Sequence, residues 1–389
     1  MLLSVIIVNY NVKYFLEQCL CSVRKAIGEL ATRTGGSHVE VLVVDNHSTD
    51  GSIEYLHPRF PFVQFISNTT NVGFGRANNQ GLQMATGQYL LFLNPDTIIP
   101  EDAFIKCIQF MEAHADAGGL GVYMMDGAGQ YLKESKRGFP SLWVSFCKMT
   151  GLTKWFPTSK LFAGYYLGHL SKDHIQIVDV LSGAFMMVKR TVLEKTGGFD
   201  EQFFMYAEDI DLSYRIQQSG YANYYIPDCR IIHFKGESTR KDSRYIKLFY
   251  RAMVQFVQKH HHGELAWFYT GLLEAMIWLR AAITVASVPV ATTSIKYEGT
   301  PRFFLAGDER SKNEVRSVIS SFPNYTITDN SEEAKEWIFC EGTMMSYEQI
   351  IEQLQHCPVW LKAFIHAGGT YTIVGSHSKD RRGYVIAMD

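Results

Sequence analysis

The sequence has almost no net charge, few cysteines and no long uninterrupted apolar run, and each shortage removes a class of function. Lys+Arg 37 against Asp+Glu 39 leaves a formal net charge of −2, so nothing global attracts a nucleic-acid backbone. The seven cysteines are an odd count without a C-x-x-C pair, which argues for reduced thiols in the cytosol and against a disulfide or zinc framework. The N-terminus has no basic n-region and its apolar run ends at Asn9, so a cleaved signal peptide is not expected. Residues 265–283 carry apolar side chains at helical spacing, but Glu274 and Arg280 interrupt them. The uncharged runs fall short of the roughly 20 residues that span a bilayer, and an interfacial amphipathic segment fits better. No basic Gly-rich loop follows Val8, which weighs against a nucleotidyltransferase. The C-terminal strand ending in Ala306-Gly307-Asp308-Glu309 lacks a G-x-G-x-x-G, so no dinucleotide site is read there.

What is present is a repeated strand-and-helix pattern in a chain of 389 residues with 47% hydrophobic content, enough for two or three units. Residues 2–8 read as a buried strand closed by Asn9-Tyr10-Asn11, and Phe15, Leu16, Leu20 and Val23 follow at helical spacing. Residues 39–44 form a second strand ending at Asp45, after which Ser48 or Asp50 can cap a helix. A third strand, 62–67, runs into Asn71-Val-Gly73-Phe-Gly75-Arg-Ala-Asn78-Asn79 with a helix over 80–85, and glycines before a helix start let backbone amides approach an anion. The fourth strand, Tyr89 to Leu93, stops at Asn94-Pro95-Asp96 because Pro95 has no N–H for the ladder. A βαβαβαβ order predicts a mostly parallel, doubly wound sheet. Asp45 and Asp96 then lie at strand carboxyl ends, where ligands of such sheets bind. Asp96 suits a divalent cation shared with a phosphorylated substrate, although an Asp-containing turn would look the same.

Further on, residues 137–177 loosen into an aromatic-rich stretch readable as an acceptor-side flap or as a satellite core. Residues 178–188 restore a strand through Ser182-Gly183-Ala184. A helix beginning near Ala207 puts Glu208 and Asp209 in its first turn, and Asp211 pairs with Arg215 at i,i+4 as plain structure. Asp209 as an ionised carboxylate can accept a proton from a hydroxyl. Tyr224-Tyr-Ile226 and Arg230-Ile-Ile232 deliver His233 to a loop. Basic residues gather over 235–251, and beyond a break at 289–301 a separate αβ pattern begins.

Val8-Asn-Tyr-Asn11, Val43-Val-Asp45-Asn-His-Ser48-Thr-Asp50-Gly51, the Asn71-to-Asn79 stretch, Asn94-Pro-Asp96 and Glu208-Asp-Ile-Asp211 together resemble the inverting family 2 glycosyltransferases of GT-A fold over about residues 2–239. The Asn-Pro-Asp form and Gly198-Phe-Asp-Glu-Gln-Phe-Phe-Met-Tyr-Ala-Glu-Asp look most like the rhamnosyltransferase-type members, which build bacterial cell-surface polysaccharides on lipid carriers. The resemblance implies a donor site at Asn9, Asp45, Gly73, Asn78 and Asp96, with Asp45 accepting the N3–H of uracil or thymine. It implies Asp209 as general base, Glu208 and Gly183 as substrate-positioning residues, and Mg²⁺ or Mn²⁺ on Asp96 and His233. Asn94 stands where the commoner D-x-D motif has its first acid, which weakens the metal site. The expected reaction is inverting transfer from dTDP-rhamnose or a UDP-sugar to a hydroxyl of a glycan or polyprenyl-linked acceptor. A catalytically inactive nucleotide-sugar-binding subunit is the other alternative, but it would tolerate loss of Asp96 or Asp209, and both are present.

The division expected is a GT-A domain over 1–238, a basic, amphipathic helical segment over 239–296, and a small Rossmann-like α/β domain of unknown role over 297–389. The segment 239–296 is expected to hold the enzyme peripherally on the inner face of the membrane, or else to pack internally or in a homodimer.

Overall fold

The computed structural model describes residues 1–36, 38–234, 243–260, 301–358, 361–376 and 383–388, with Gly271 and Ala275. The 265–283 stretch and most of the 235–251 basic cluster lie outside the described residues. No helix among the described residues is long and apolar enough to cross a membrane.

The first four strands follow the expected alternation: β1 (Leu3–Asn9), α1 (Lys13–Thr34), β2 (Val39–Asp45), α2 (Ser52–Leu56), β3 (Val63–Ser67), α3 (Phe74–Met84) and β4 (Tyr89–Leu93). β1 and β4 are buried at every position, as continuous apolar strands inside a parallel sheet should be. After Pro95 the chain leaves the ladder for β5 (Thr97–Ile98), α4 (Ala103–Ala113) and β6 (Ala117–Met125). The aromatic stretch holds α5 (Leu142–Thr150), α6 (Leu152–Trp155) and β7 (Gln176–Ile177). β8 (Phe185–Lys189), α7 (Arg190–Thr196), α8 (Glu208–Gln218), β9 (Ala222–His233) and α9 (Ser243–His260) follow.

These strands make one nine-stranded sheet in the order β3-β2-β1-β4-β8-β6-β9-β5, with β7 on β9. β3, β2, β1 and β4 run parallel, and β8 lies antiparallel between β4 and β6. Because β2 and β4 flank β1, the winding reverses there, and the carboxyl ends of β1, β2 and β4 border the crevice that such a reversal opens.

Two expectations need correction, and one strand was not foreseen. The helix expected over 80–85 begins at Phe74. The 178–188 stretch is not one strand: β8 starts at Phe185, and 178–184 is a loop because Leu181 N–H donates to Ser213 Oγ at 3.1 Å and Gly183 N–H to Asp209 Oδ2, not to a ladder. β6 had no counterpart in the sequence reading, and Gly118 and Gly119 are residues that weaken a strand signal. A Cβ on Gly118 would lie 2.6 Å from Ile216 Cγ2 and from Tyr221 Cβ, so the close approach of α8 excludes any side chain there.

The C-terminal residues form a second sheet of six strands, β11 (Thr326–Thr328), β10 (Arg302–Gly307), β12 (Glu336–Cys340), β13 (Lys362–His366), β14 (Thr372–Gly375) and β15 (Tyr384–Ala387) in that spatial order. Its first four strands are parallel and its last two antiparallel. It packs on α1: Gln18 Nε2 donates to Thr372 Oγ1 at 2.8 Å, Ala367 N–H to Gln18 Oε1 at 2.9 Å, and Lys25 meets Glu341 at 2.8 Å. Glu101 accepts from the N–H groups of Tyr347 and Glu348 at the start of helix Tyr347–His356. One hydrophobic core runs through both sheets, from Leu16 and Leu20 to Ile351 and Val374.

Candidate functional site

The residues expected to take the donor's base come together where β1 and β2 end. Asn9 and Asp45 are register partners, and Asn9 Nδ2 donates to Asp45 Oδ1 at 2.7 Å. His47 takes φ 68°, a left-handed turn that returns the Ser48 N–H to Asp45 Oδ2 at 2.9 Å. Asp45 is buried with both oxygens oriented, yet each keeps a lone pair for an incoming N–H.

The glycine stretch spends three of its amides inside the protein. Val72 N–H donates to Asn46 Oδ1 at 3.0 Å, Gly73 N–H to Asn71 Oδ1 at 3.0 Å, and Phe74 N–H to the Phe204 carbonyl at 3.0 Å. These three amides serve the protein and not an anion. Gly73, at φ +90°, is required because a Cβ would come within 2.5 Å of the Phe204 carbonyl oxygen; it lets the glycine stretch touch the loop that leads to α8. Asn78 is buried and donates to the Phe74 carbonyl one turn back, a bond internal to the helix.

At the end of β4, Asp96 and His233 come together. β5 pairs with the end of β9 so that Thr97 faces His233, which sets His233 Nε2 3.3 Å from Asp96 Oδ1 and 3.4 Å from Asn94 Nδ2. Both Asp96 and His233 are buried. Among the described residues no group of three or more His, Cys, Asp or Glu side chains forms a metal site. A pair of this kind fits a cation completed by substrate phosphates and water, as Mg²⁺ usually is, and not a closed protein cage.

The third part is the start of α8. Asn94 N–H donates to the Ala184 carbonyl at 3.0 Å, and the adjacent Gly183 N–H donates to Asp209 Oδ2 at 3.1 Å. Two peptide units therefore tie Asp209 to the strand end that carries Asp96. Arg137 Nη2 also donates to Asp209 Oδ2, and to the Leu181 carbonyl at 2.8 Å. Burial acts to lower the Arg137 pKa, but the Asp209 carboxylate outweighs it and keeps the guanidinium charged.

Glu208 is different: burial first, and the Asp209 charge second, push its carboxyl up to about 8, and its Oε2 is buried without a hydrogen-bond partner. The native state thus holds a proton that the unfolded chain gives up near 4.5. The stability from this group is complete below that pH and is lost as pH rises through the folded value, by about 1.4 kcal/mol per unit in between. Glu208→Gln has no such slope. Its melting temperature should gain on the unaltered protein as pH goes from 5 to 8, and parallel pH curves for the two would contradict a buried, protonated Glu208.

The sequence reading missed Arg137 as a partner of Asp209. It marks only the start of the aromatic stretch in sequence, and its partner lies 72 residues away. Asp211 pairs with Arg215 at 2.7 Å as expected, and also holds Lys259 at 2.6 Å and His260 at 2.7 Å. Burial alone would raise the Asp211 pKa, yet the Arg215 charge and the hydrogen bonds from Lys259 and His260 draw it below the ordinary value. That cluster fastens α9 to α8.

The model of the family described as Glycosyl transferase family 2 matches residues 4–197. The N-acetylglucosaminyl-diphospho-decaprenol L-rhamnosyltransferase of Mycobacterium tuberculosis is 29% identical over 273 residues, covering 67% of this chain and 85% of that protein. Rhamnosyltransferase WbbL of Escherichia coli is 29% identical over 213 residues, 52% of this chain and 75% of that one. The solved mannosyltransferase PcManGT from Pyrobaculum calidifontis, in complex with GDP-Man and Mn2+, is 18% identical with a TM-score of 0.47, over 74% of this chain and 76% of the other.

Proposed function

We propose, from the premise that residues 4–197 are a glycosyl transferase family 2 domain, that this enzyme moves a rhamnosyl or related sugar from a thymidine or uridine diphosphate donor to a hydroxyl of a polyprenyl-linked acceptor, with inversion. That the protein is a glycosyltransferase of cell-surface polysaccharide synthesis follows from the family and from relatives named as rhamnosyltransferases. The observation that carries the finer reading is the tie from β4 to α8: Ala184 and Gly183 place Asp209 beside the strand end bearing Asp96.

In this reading Asp45 accepts the N3–H of the donor's base, a contact that cytosine cannot make. Asp96 and His233 would hold a divalent cation, which when bound neutralises charge on the departing diphosphate. Asp209 takes the proton of the acceptor hydroxyl as its oxygen attacks the anomeric carbon from the face opposite the nucleotide. Arg137 and Gly183 fix the direction in which that carboxylate points, and Glu208 keeps its proton beside it. A decaprenol-linked acceptor is part of the name of one relative, and a lipid-linked acceptor would bring the enzyme to the inner face of the membrane.

A thermal-shift screen of nucleotide sugars with and without Mg²⁺ or Mn²⁺ tests the assignment. A ligand at 100 times its dissociation constant stabilises by about 2.7 kcal/mol. Thymidine and uridine diphosphate sugars should shift the transition upward in the presence of metal and cytidine compounds should not. Equal shifts for all bases would remove the role of Asp45, and no shift from any nucleotide sugar would remove the donor site.

A further inference from the structure

We propose that the aromatic face of α5, α6 and the turn after them docks on an anionic lipid surface, beside the acceptor end of the site. Trp143 stacks on Phe146 at 5.7 Å between ring centroids, and its Nε1 donates to the Leu161 carbonyl at 2.8 Å. Phe156 packs on Phe162 at 5.2 Å, and Phe162 meets Trp143 at 6.0 Å. The patch is thus one surface, yet its large apolar members Trp143, Phe146, Phe156 and Leu161 remain exposed, and Trp155 is 79% exposed. Apolar patches of this kind mark interaction sites on proteins that are otherwise well packed.

Charge selects the occupant. Between Glu134 and Asp173 the chain has six Lys or Arg and no Asp or Glu. Lys136 and Arg137 turn inward to the Leu170 carbonyl and to Asp209, and Lys148 lies over the Tyr165 ring. Lys154 and Lys160 are exposed alongside the aromatic patch. Tryptophan with lysine and no acid is the composition of an interfacial membrane contact, where rings enter the headgroup layer and cations meet anionic lipid. The patch is also fastened to the site. Gly138 N–H donates to the Tyr165 carbonyl at 3.1 Å, Val180 N–H to the Arg137 carbonyl at 2.9 Å, and Arg137 holds Asp209. Docking this face would set Asp209 near the surface from which a lipid-linked hydroxyl emerges. The inference rests on the lipid-linked acceptor proposed above.

The test uses the full-length protein, Trp155→Ser with Leu161→Ser, and separately Lys154→Glu with Lys160→Glu, all exposed positions outside the site. Co-sedimentation with phosphatidylglycerol vesicles at low salt should be strong for the unaltered protein and at least tenfold weaker for both variants. Transfer to a water-soluble truncated acceptor should be unchanged in both. Binding of either variant equal to that of the unaltered protein, or no binding by the unaltered protein, would overturn the proposal. So would a patch variant that turns a dimer into a monomer in sedimentation equilibrium while vesicle binding stays intact, since the face would then belong to a second copy. Failure of the unaltered protein to use any lipid-linked or truncated acceptor would count against the acceptor reading instead, because vesicle binding is measured without turnover.

Discussion

Asp209→Asn should lower kcat by roughly 10²–10⁴-fold, the usual size of a general-base contribution, while the dissociation constant of the donor stays near its original value. The amide keeps the shape of the side chain and an oxygen that can still accept from Gly183 N–H and Arg137 Nη2, which now bond to Asp209 Oδ2. What it loses is the capacity to take a proton. Donor binding should be spared because the base and metal contacts assigned above, Asp45, Asp96 and His233, lie at the ends of β2, β4 and β9 and not on α8. Measuring kcat and donor affinity on the same preparation separates the two effects. Near-normal turnover would move the base elsewhere.

Asp96→Ala should abolish the metal-dependent part of donor affinity, whereas Asp45→Ala should relax base preference and leave metal dependence in place. The two carboxylates cap different strands of one sheet, Asp45 ending β2 with Asn9 and Ser48 on its oxygens, and Asp96 following β4 with His233 at 3.3 Å. With Asn94 in the preceding acidic position of the motif, Asp96 is the sole carboxylate of its loop, so its removal leaves His233 without an anionic partner for the cation. Calorimetric titration of a thymidine or uridine diphosphate sugar with and without Mg²⁺ gives both quantities. The same defect in both variants would contradict separate roles.

The strands that carry these acids were legible because their limits are set locally. Apolar runs fix β1, β2 and β4 from within, and Pro95 ends β4 by lacking an N–H, so Asp45 and Asp96 could be placed at carboxyl ends without knowledge of neighbours. The i,i+4 pair of Asp211 and Arg215 was legible for the same reason. What failed depended on distant partners. The apolar 178–188 run looks like a strand, but Ser213 from α8 captures the Leu181 N–H and Asp209 captures that of Gly183. Around Gly73, Asn46 and Phe204 reach in from distant positions to take the Val72 and Phe74 amides, while Asn71 takes that of Gly73 locally. Arg137 carries no local mark of its role, and Lys259 and His260 reach Asp211 from the far end of α9.

The central claim is a single displacement with Asp209 as base, and the configuration of the product tests it most directly. A nucleotide sugar of known anomeric configuration is turned over with the acceptor, and the one-bond carbon–hydrogen coupling at the new anomeric centre is read by NMR. The account predicts the opposite configuration to that of the donor. Retention of the donor's configuration would contradict it.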